Sequence, residues 1–340
     1  MIKMGIYMIT LAWSLMLMCS SYSMISVFLA MEVLGFCMLA LVISLKSDGT
    51  KIRTWGLFVI QSISSMMILI CLCLMFTTTT GLMITSVDYG FSVWVMIFIQ
   101  GICMKIGMPP FHRWMLALVE GITWDNFYLV ASLHKLFPIL LLQMVSWSVD
   151  IFSPLMNLMA MLGLFTAFCG VFEYSLRRFF VYSSILNMSW TLVGSMTGGS
   201  LGVMYFVFYL ISMLSICVFL VNMKYSTFSN SFLSNMAGDN WSQSVLIMFL
   251  FVCLMGLPPF PGFFLKLEII GSLISSNLGL ITSFLLLFSS SLMISSYLKN
   301  TFIGLVVSKS QLSGKVMNNS LVLLSMILFM MFMLSFLWFF

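Results

Sequence analysis

Very little of this sequence is charged. Fourteen Lys and Arg and nine Asp and Glu make up 7% of its 340 residues, against roughly 25% in an ordinary globular protein. So few charges cannot clothe a soluble body of this length, which excludes a soluble enzyme and a nucleic-acid binder. Histidine is scarcer still, two in all, and no CxxC, HExxH or GxGxxG occurs. No metal, flavin or nicotinamide site is therefore legible in this chain. A disulfide framework is missing too. The eight cysteines (19, 37, 71, 73, 103, 169, 217, 253) all fall inside apolar stretches, where single thiols act as small hydrophobes. Cys71 and Cys73 are two apart on an expected helix and point different ways. Met1-Ile2-Lys3-Met4 leads straight into apolar sequence, with no cationic leader and no Arg/Ser-rich transit segment, so the spans themselves are expected to drive insertion.

What the chain does have is apolar length. Its size alone suggests about two soluble domains, but hydrophobic residues form 62% of it and the mean hydropathy is +1.16. That share, about 211 residues, suffices for ten or eleven spans of about 20 residues each. Backbone groups find no water in hydrocarbon, so only helices or closed barrels cross a bilayer. The apolar runs are continuous rather than alternating in ten-residue segments, so they read as helices. The expected fold is all-α: a polytopic transmembrane helix bundle, residues 1–340 forming a single integral membrane domain. Spans are expected at roughly 4–20, 24–44, 55–76, 91–118, 127–147, 154–173, 177–196, 201–223, 243–272, 278–298 and 319–340. The polar stretches 45–54, 224–242 and 299–318 connect them. The 34 methionines serve packing and lipid contact; nothing suggests a thioether copper cluster.

With eleven spans, the few cations sort onto one side. Lys3, Lys46, Lys51, Arg53, Arg113, Arg177, Arg178, Lys224, Lys299, Lys309 and Lys315 all fall on the side of the N-terminus, and the opposite side receives no Lys or Arg. The positive-inside rule makes that basic side the cytoplasmic or matrix face, with the C-terminus opposite. The remaining three cations, Lys105, Lys135 and Lys266, lie within spans.

Two spans are too long, and each carries a double proline. One reads Lys105-Ile106-Gly107-Met108-Pro109-Pro110-Phe111-His112-Arg113-Trp114; the other reads Gly256-Leu257-Pro258-Pro259-Phe260-Pro261-Gly262-Phe263-Phe264-Leu265-Lys266. A second adjacent proline removes another amide and clashes one turn back, so the helix breaks rather than bends. The two breaks fall in spans running in opposite directions. The sequence thus reads as two approximate inverted five-helix repeats, each with a Pro-broken helix: 24–173, and 177–298 with the C-terminal span at 319–340 as its fifth helix. Inverted repeats with broken helices are a recurrent transporter plan, and the breaks mark the ion path.

The buried ionisable residues point the same way. Lys105 precedes the first break, Lys266 follows the second, Lys135 lies in Leu133-His134-Lys135-Leu136-Phe137-Pro138, and Glu32 lies in Leu29-Ala30-Met31-Glu32-Val33-Leu34. A charge at mid-bilayer costs at least ~2.5–3.5 kcal/mol, so such groups face a polar interior. A desolvated amine gives up its proton more readily, and a neighbouring carboxylate helps it keep one. A lysine whose protonation depends on a neighbour's charge is a proton relay element. The competing readings are snorkelling to an interface or a static ion pair. His134 is a supporting proton carrier. His112 reads as a structural loop histidine, and Glu268 points away from Lys266. Asp88, Glu120, Asp125, Asp150 and Glu173 sit at solvated span ends.

These motifs, together with Leu176-Arg177-Arg178-Phe179-Phe180-Val181-Tyr182-Ser183-Ser184-Ile185, resemble in order and spacing the antiporter-like subunits of respiratory complex I. The resemblance covers about residues 25–270, and the span count is similar to the shortened animal form. It implies that Glu32 and Lys105 form the family's glutamate–lysine pair, that Lys135 is its central lysine and that Lys266 is its exit lysine. It also implies a mitochondrial inner-membrane location and proton translocation coupled to NADH:ubiquinone electron transfer in other subunits. Flavin, iron–sulfur clusters and quinone then belong to those partners, with no cofactor in this chain. Neighbouring antiporter-like subunits and phospholipid are the expected contacts. The tail from about 275 matches weakly, and Glu268 is an unexpected carboxylate near the exit lysine. Two other readings share the same residues: a stand-alone or Mrp-type cation/proton antiporter subunit, and a purely structural membrane subunit whose charges form static pairs.

Overall fold

The computed structural model of the chain describes residues 5, 9–10, 12–14, 16, 23–43, 48–79, 87–144, 149–197, 200–222, 249–258, 260–275 and 279–308. Most of the expected first span, Pro259 and the expected last span lie outside the described residues, as do Lys3, Lys46, Lys224, Lys309 and Lys315. Every described element is helical, with no strand among the described residues. Among the described residues, six helical stretches are long and apolar enough to cross a membrane: Met24–Ile43, Thr54–Leu74, Trp124–Met144, Pro154–Phe172, Leu201–Val221 and Leu280–Asn300. The chain divides into two compact units, Met1–Ile122 with Leu129–Leu158, and Thr123–Tyr128 with Met159–Phe340.

The first unit is built on α1 (Met24–Ile43), α2 (Asp48–Thr79), α3 (Val87–Ile106) and α4 (Arg113–Val119), with the end of α5 (Trp124–Ala131), a 3-10 turn at Leu133–Lys135, α6 (Leu136–Met144) and the start of α7 (Val149–Phe172). Ser23 starts α1 by accepting the Ser26 amide on its hydroxyl at 3.3 Å, the usual way to satisfy an orphan N–H at a helix start. Along α1 the buried residues Val27, Ala30, Met31, Leu34, Met38 and Val42 recur at helical spacing, while Ile25, Leu29, Phe36 and Ile43 are exposed. An outward apolar face suits a lipid-bathed helix, whose contacts come from shape rather than from hydrophobicity. The α1 helix packs on α2 and α6, and α2 packs on α3. Gly101 permits the α2–α3 approach: a Cβ there would lie 2.9 Å from Ile68 Cγ1 and 3.3 Å from the Ser64 carbonyl.

The expected span at 127–147 is not one regular helix. It is interrupted after Ala131, and residues 133–135 wind more tightly before α6 begins. Pro138 supplies the reason, since it offers no amide to the His134 carbonyl four residues back and its ring crowds that position. The interruption falls on the two residues, His134 and Lys135, that the sequence marks for function.

The second unit holds α8 (Leu176–Met196), α9 (Leu201–Asn222), helical residues 249–255, α10 (Pro261–Ser275) and α11 (Leu280–Ser308). The centre is α8, buried without a gap from Phe179 to Met196, with α9, α10 and α11 packed on it. This helix is polar, with Ser183, Ser184, Asn187, Ser189, Thr191 and Ser195 all buried. Such a helix is stable in a membrane only when protein covers it. Five of its hydroxyls donate to the carbonyl three residues back at 2.7–2.9 Å, so the hydroxyl hydrogens find partners without leaving the helix. At one end, Phe179 and Phe180 pack edge-on to Tyr297 and Phe251, with ring centroids 4.7 and 5.4 Å apart.

Gly202 sets how closely α9 approaches α8. A Cβ there would lie 2.5 Å from the Ser195 amide nitrogen and 2.7 Å from the Thr191 carbonyl, both rigid backbone. Gly271 meets nothing within 4 Å. Gly202→Ala should therefore destabilise the unit by about 1–3 kcal/mol. Gly271→Ala should be neutral or stabilise by up to about 1 kcal/mol through helix propensity. Thermal midpoints of the two variants in membranes check this; equal midpoints would contradict the close approach.

Candidate functional site

Each unit contains a lysine beside a helix break, and the two breaks are built alike. In the first, α3 ends at Ile106, and Gly107 takes φ +84°, a left-handed conformation open to glycine. The amides of Gly107 and Met108 both donate to the Cys103 carbonyl, at 3.0 and 2.9 Å, closing the helix end in the manner of a glycine cap. The Phe111 amide then donates to the Met108 carbonyl at 2.8 Å across the cis Pro109–Pro110 pair. In the second, Gly256 has φ +69° and its amide donates to the Cys253 carbonyl at 3.2 Å. The Phe260 amide closes the same turn onto the Leu257 carbonyl at 2.9 Å. Pro258 lies in that turn, and Pro261 opens α10 at the first helical position, where proline loses nothing. Gly262 leaves room for Phe208 of α9; its Cβ would lie 2.7 Å from that ring.

In the first unit the break leaves Lys105 in the last turn of α3, where the carbonyl end of a helix favours a cation. Its Nζ donates to Glu32 Oε1 of α1, forming a close ion pair. Lys105 is 1% exposed and Glu32 24%. Lys135 is equally buried, at 1%, and His134 at 2%. The His134 ring lies within electrostatic reach of both Lys105 and Lys135. Gln61 of α2 donates from Nε2 to His134 Nε2 at 3.0 Å, so the imidazole carries its proton on Nδ1. That Nδ1 is buried, with no partner among the described residues. The structure thus gathers Glu32, Lys105, His134 and Lys135 into one polar group within the first unit.

In the second unit Lys266 reaches from α10 back to the broken end of the preceding helix. Its Nζ donates to the Met255 carbonyl at 2.9 Å and stands 5.5 Å from the centroid of the Trp190 ring on α8. Glu268 is partly buried and, two residues on, projects from a different face of α10. Among the described residues no group of three His, Cys, Asp or Glu could hold a metal ion.

Three participants escape sequence reasoning: Gln61, Trp190 and the Met255 carbonyl. Gln61 left a weak signal as a lone amide in the apolar run Phe58-Val59-Ile60-Gln61-Ser62. Trp190 left none, because tryptophan is ordinary in membrane helices. Backbone carbonyls cannot be read from side chains at all.

A polytopic helical membrane protein with buried, paired cations at two glycine-capped helix breaks is the class this geometry defines. The chain belongs to the family described as NADH:quinone oxidoreductase/Mrp antiporter, TM, which it matches over residues 21–293. It is 33% identical over 208 residues to NADH-ubiquinone oxidoreductase chain 2 of Myxine glutinosa, a match covering 61% of this chain and 59% of that protein's length. Its fold is similar to a chain of respiratory complex I from Thermus thermophilus with bound aureothin, with TM-score 0.70, 16% identity, and coverage of 91% of this chain and 77% of that one. It is also similar to a chain of the Mrp complex from Dietzia sp. DQ12-45-1b, with TM-score 0.63, 16% identity, and coverage of 81% and 55%.

The Glu32–Lys105 pair yields a stability test. Removing one member of a buried pair strands the other charge and costs about 3–5 kcal/mol, whereas removing both with apolar replacements is often neutral. Glu32→Leu should lower the thermal midpoint, toward the low end of that range because Glu32 retains 24% exposure. Adding Lys105→Met should restore most of the loss. A double variant less stable than Glu32→Leu would show that the two side chains do not act as a pair.

Proposed function

We propose that this chain is an antiporter-like, proton-translocating membrane subunit of mitochondrial respiratory complex I. It would couple NADH:ubiquinone electron transfer in other subunits to proton movement across the inner membrane. The observation that carries this reading is the group in the first unit: a carboxylate on Lys105, then a histidine under the influence of both Lys105 and Lys135. A static ion pair needs no second buried lysine and no histidine beside it.

The chemistry runs through named atoms. The Glu32 carboxylate holds Lys105 as an ammonium; when that negative charge is lost or screened, the attraction goes and the proton leaves Nζ. Lys135 is the next amine able to hold it, and the His134 ring can relay it only by taking a proton at Nε2, once Gln61 lets go, and giving up the one on Nδ1. Lys266 serves as the carrier of the second unit, as the exit lysine of the family pattern. Flavin, iron–sulfur clusters and quinone fall to partner subunits, and this chain contributes no redox group. The basic connections and the N-terminus face the matrix in this reading, and the C-terminus faces the intermembrane space. Neighbouring antiporter-like subunits and phospholipid cover the outward apolar faces. Among relatives, likeness to the Mrp complex chain supports one other reading, a cation/proton antiporter subunit that works without redox partners.

Lys105→Met in the assembled complex should leave the complex on a native gel but lower the protons moved per NADH oxidised. Unchanged pumping would overturn the reading. Wild-type chain reconstituted alone in liposomes should show no cation-driven proton exchange; robust exchange would favour the antiporter instead.

A further inference from the structure

The two lysine sites follow one plan with one change. In each unit the first helix of the sequence repeat faces the lysine at the broken third helix. The α1 helix presents Glu32 to Lys105, and α8 presents Trp190 to Lys266. The partner is a carboxylate in one case and an aromatic face in the other. We infer that Trp190 is a positioning residue of the second site, its ring face and the Met255 carbonyl together holding the Lys266 ammonium as Glu32 holds Lys105.

Several observations carry this. Trp190 is fully buried, and its indole N–H is buried with no partner among the described residues. A buried indole ordinarily secures its N–H, so the polar edge does not explain why tryptophan stands here; the face over Lys266 does. The ring also has a fixed aromatic neighbour. Tyr205 packs on it with centroids 6.4 Å apart, and Tyr205 is itself anchored by its hydroxyl donating to Asn187 Oδ1 at 2.8 Å. Gly256 completes the seat, since a Cβ there would lie 3.2 Å from Lys266 Nζ. The Met255 carbonyl takes one ammonium hydrogen, and the ring quadrupole attracts the charge, more strongly where water is excluded.

The difference has a functional edge. A carboxylate can be neutralised by a proton, so the hold on Lys105 can be switched. A ring quadrupole cannot be titrated, so the hold on Lys266 stays constant while Lys105 responds to its surroundings. The pumping consequence rests on the proposed function; the hold itself does not.

The test is a cycle in the assembled, membrane-embedded complex. Trp190→Phe keeps a ring face and Trp190→Leu removes it, each with Lys266 intact and in a Lys266→Met background. The readout is the half-life of the assembled complex at a fixed elevated temperature, followed on native gels. With Lys266 present, the Leu variant should decay about tenfold faster than the Phe variant, the scale of a desolvated cation–π contact. With Lys266→Met the Leu and Phe variants should match. An equal Leu-to-Phe gap in both backgrounds would overturn the inference, since Trp190 would then only fill space. If Trp190→Leu fails to assemble, recovery on adding Lys266→Met supports the hold, and failure to recover while Trp190→Phe assembles overturns it. Protons moved per NADH provide the separate arm. A Lys266-dependent stability gap with unchanged pumping sinks Lys266 as a carrier and leaves Trp190 as its holder.

Discussion

An ammonium group moved out of water costs more than any one helix contact returns, and the rest of this molecule is arranged around that cost. Lys105 is met by a carboxylate, and Lys266 by a carbonyl and an aromatic face. The carbonyl that meets Lys266 would be consumed by the ladder of an unbroken helix, and Lys105 stands in the last turn before a break, where the helix end favours a cation. The Gly-X-Pro-Pro-Phe breaks end a helix inside the fold and free carbonyls there. The left-handed glycine turns the chain, the prolines prevent resumption, and the phenylalanine amide closes the turn. Helix-breaking residues normally weaken a helix; here they create the place where a cation can be kept.

The elements most legible in the sequence were those with a one-to-one link between residue type and geometry. Double prolines after glycine broke the helices where expected, because proline's missing amide acts locally. Glu32 and Lys105 stood out because ionisable groups are rare in apolar runs, and the structure pairs them across 73 residues of sequence. Periodicity, by contrast, said little about α8. Its apolar and polar residues are mixed all round, and only the packing of α9, α10 and α11 shows that every side is covered. The tight winding at Leu133–Lys135 was hidden for another reason. The Pro138 that causes it lies beyond the residues it affects, and one proline in a helix usually produces a bend.

Small residues hold the second unit together as much as large ones. Gly202 brings α9 against the backbone of α8, and the same closeness wraps α8 fully enough to make its polar sequence tolerable. Polarity and tight packing therefore depend on each other. Loosening the α8–α9 contact would expose serine, threonine and asparagine to hydrocarbon, and removing those residues would leave little reason for so complete a covering.

The back-bonded hydroxyls of α8 have a further effect on what its surroundings would accept. Ser183, Ser184, Ser189, Thr191 and Ser195 all direct their hydrogens to carbonyls of the same helix. What they offer outward is oxygen lone pairs. Inside so complete a covering, the neighbouring helices meet hydroxyl oxygen at these five positions rather than hydroxyl hydrogen. The donors that α8 still turns toward its neighbours include the Trp190 indole and the Asn187 amide, while these five hydroxyl hydrogens are closed within its own turns.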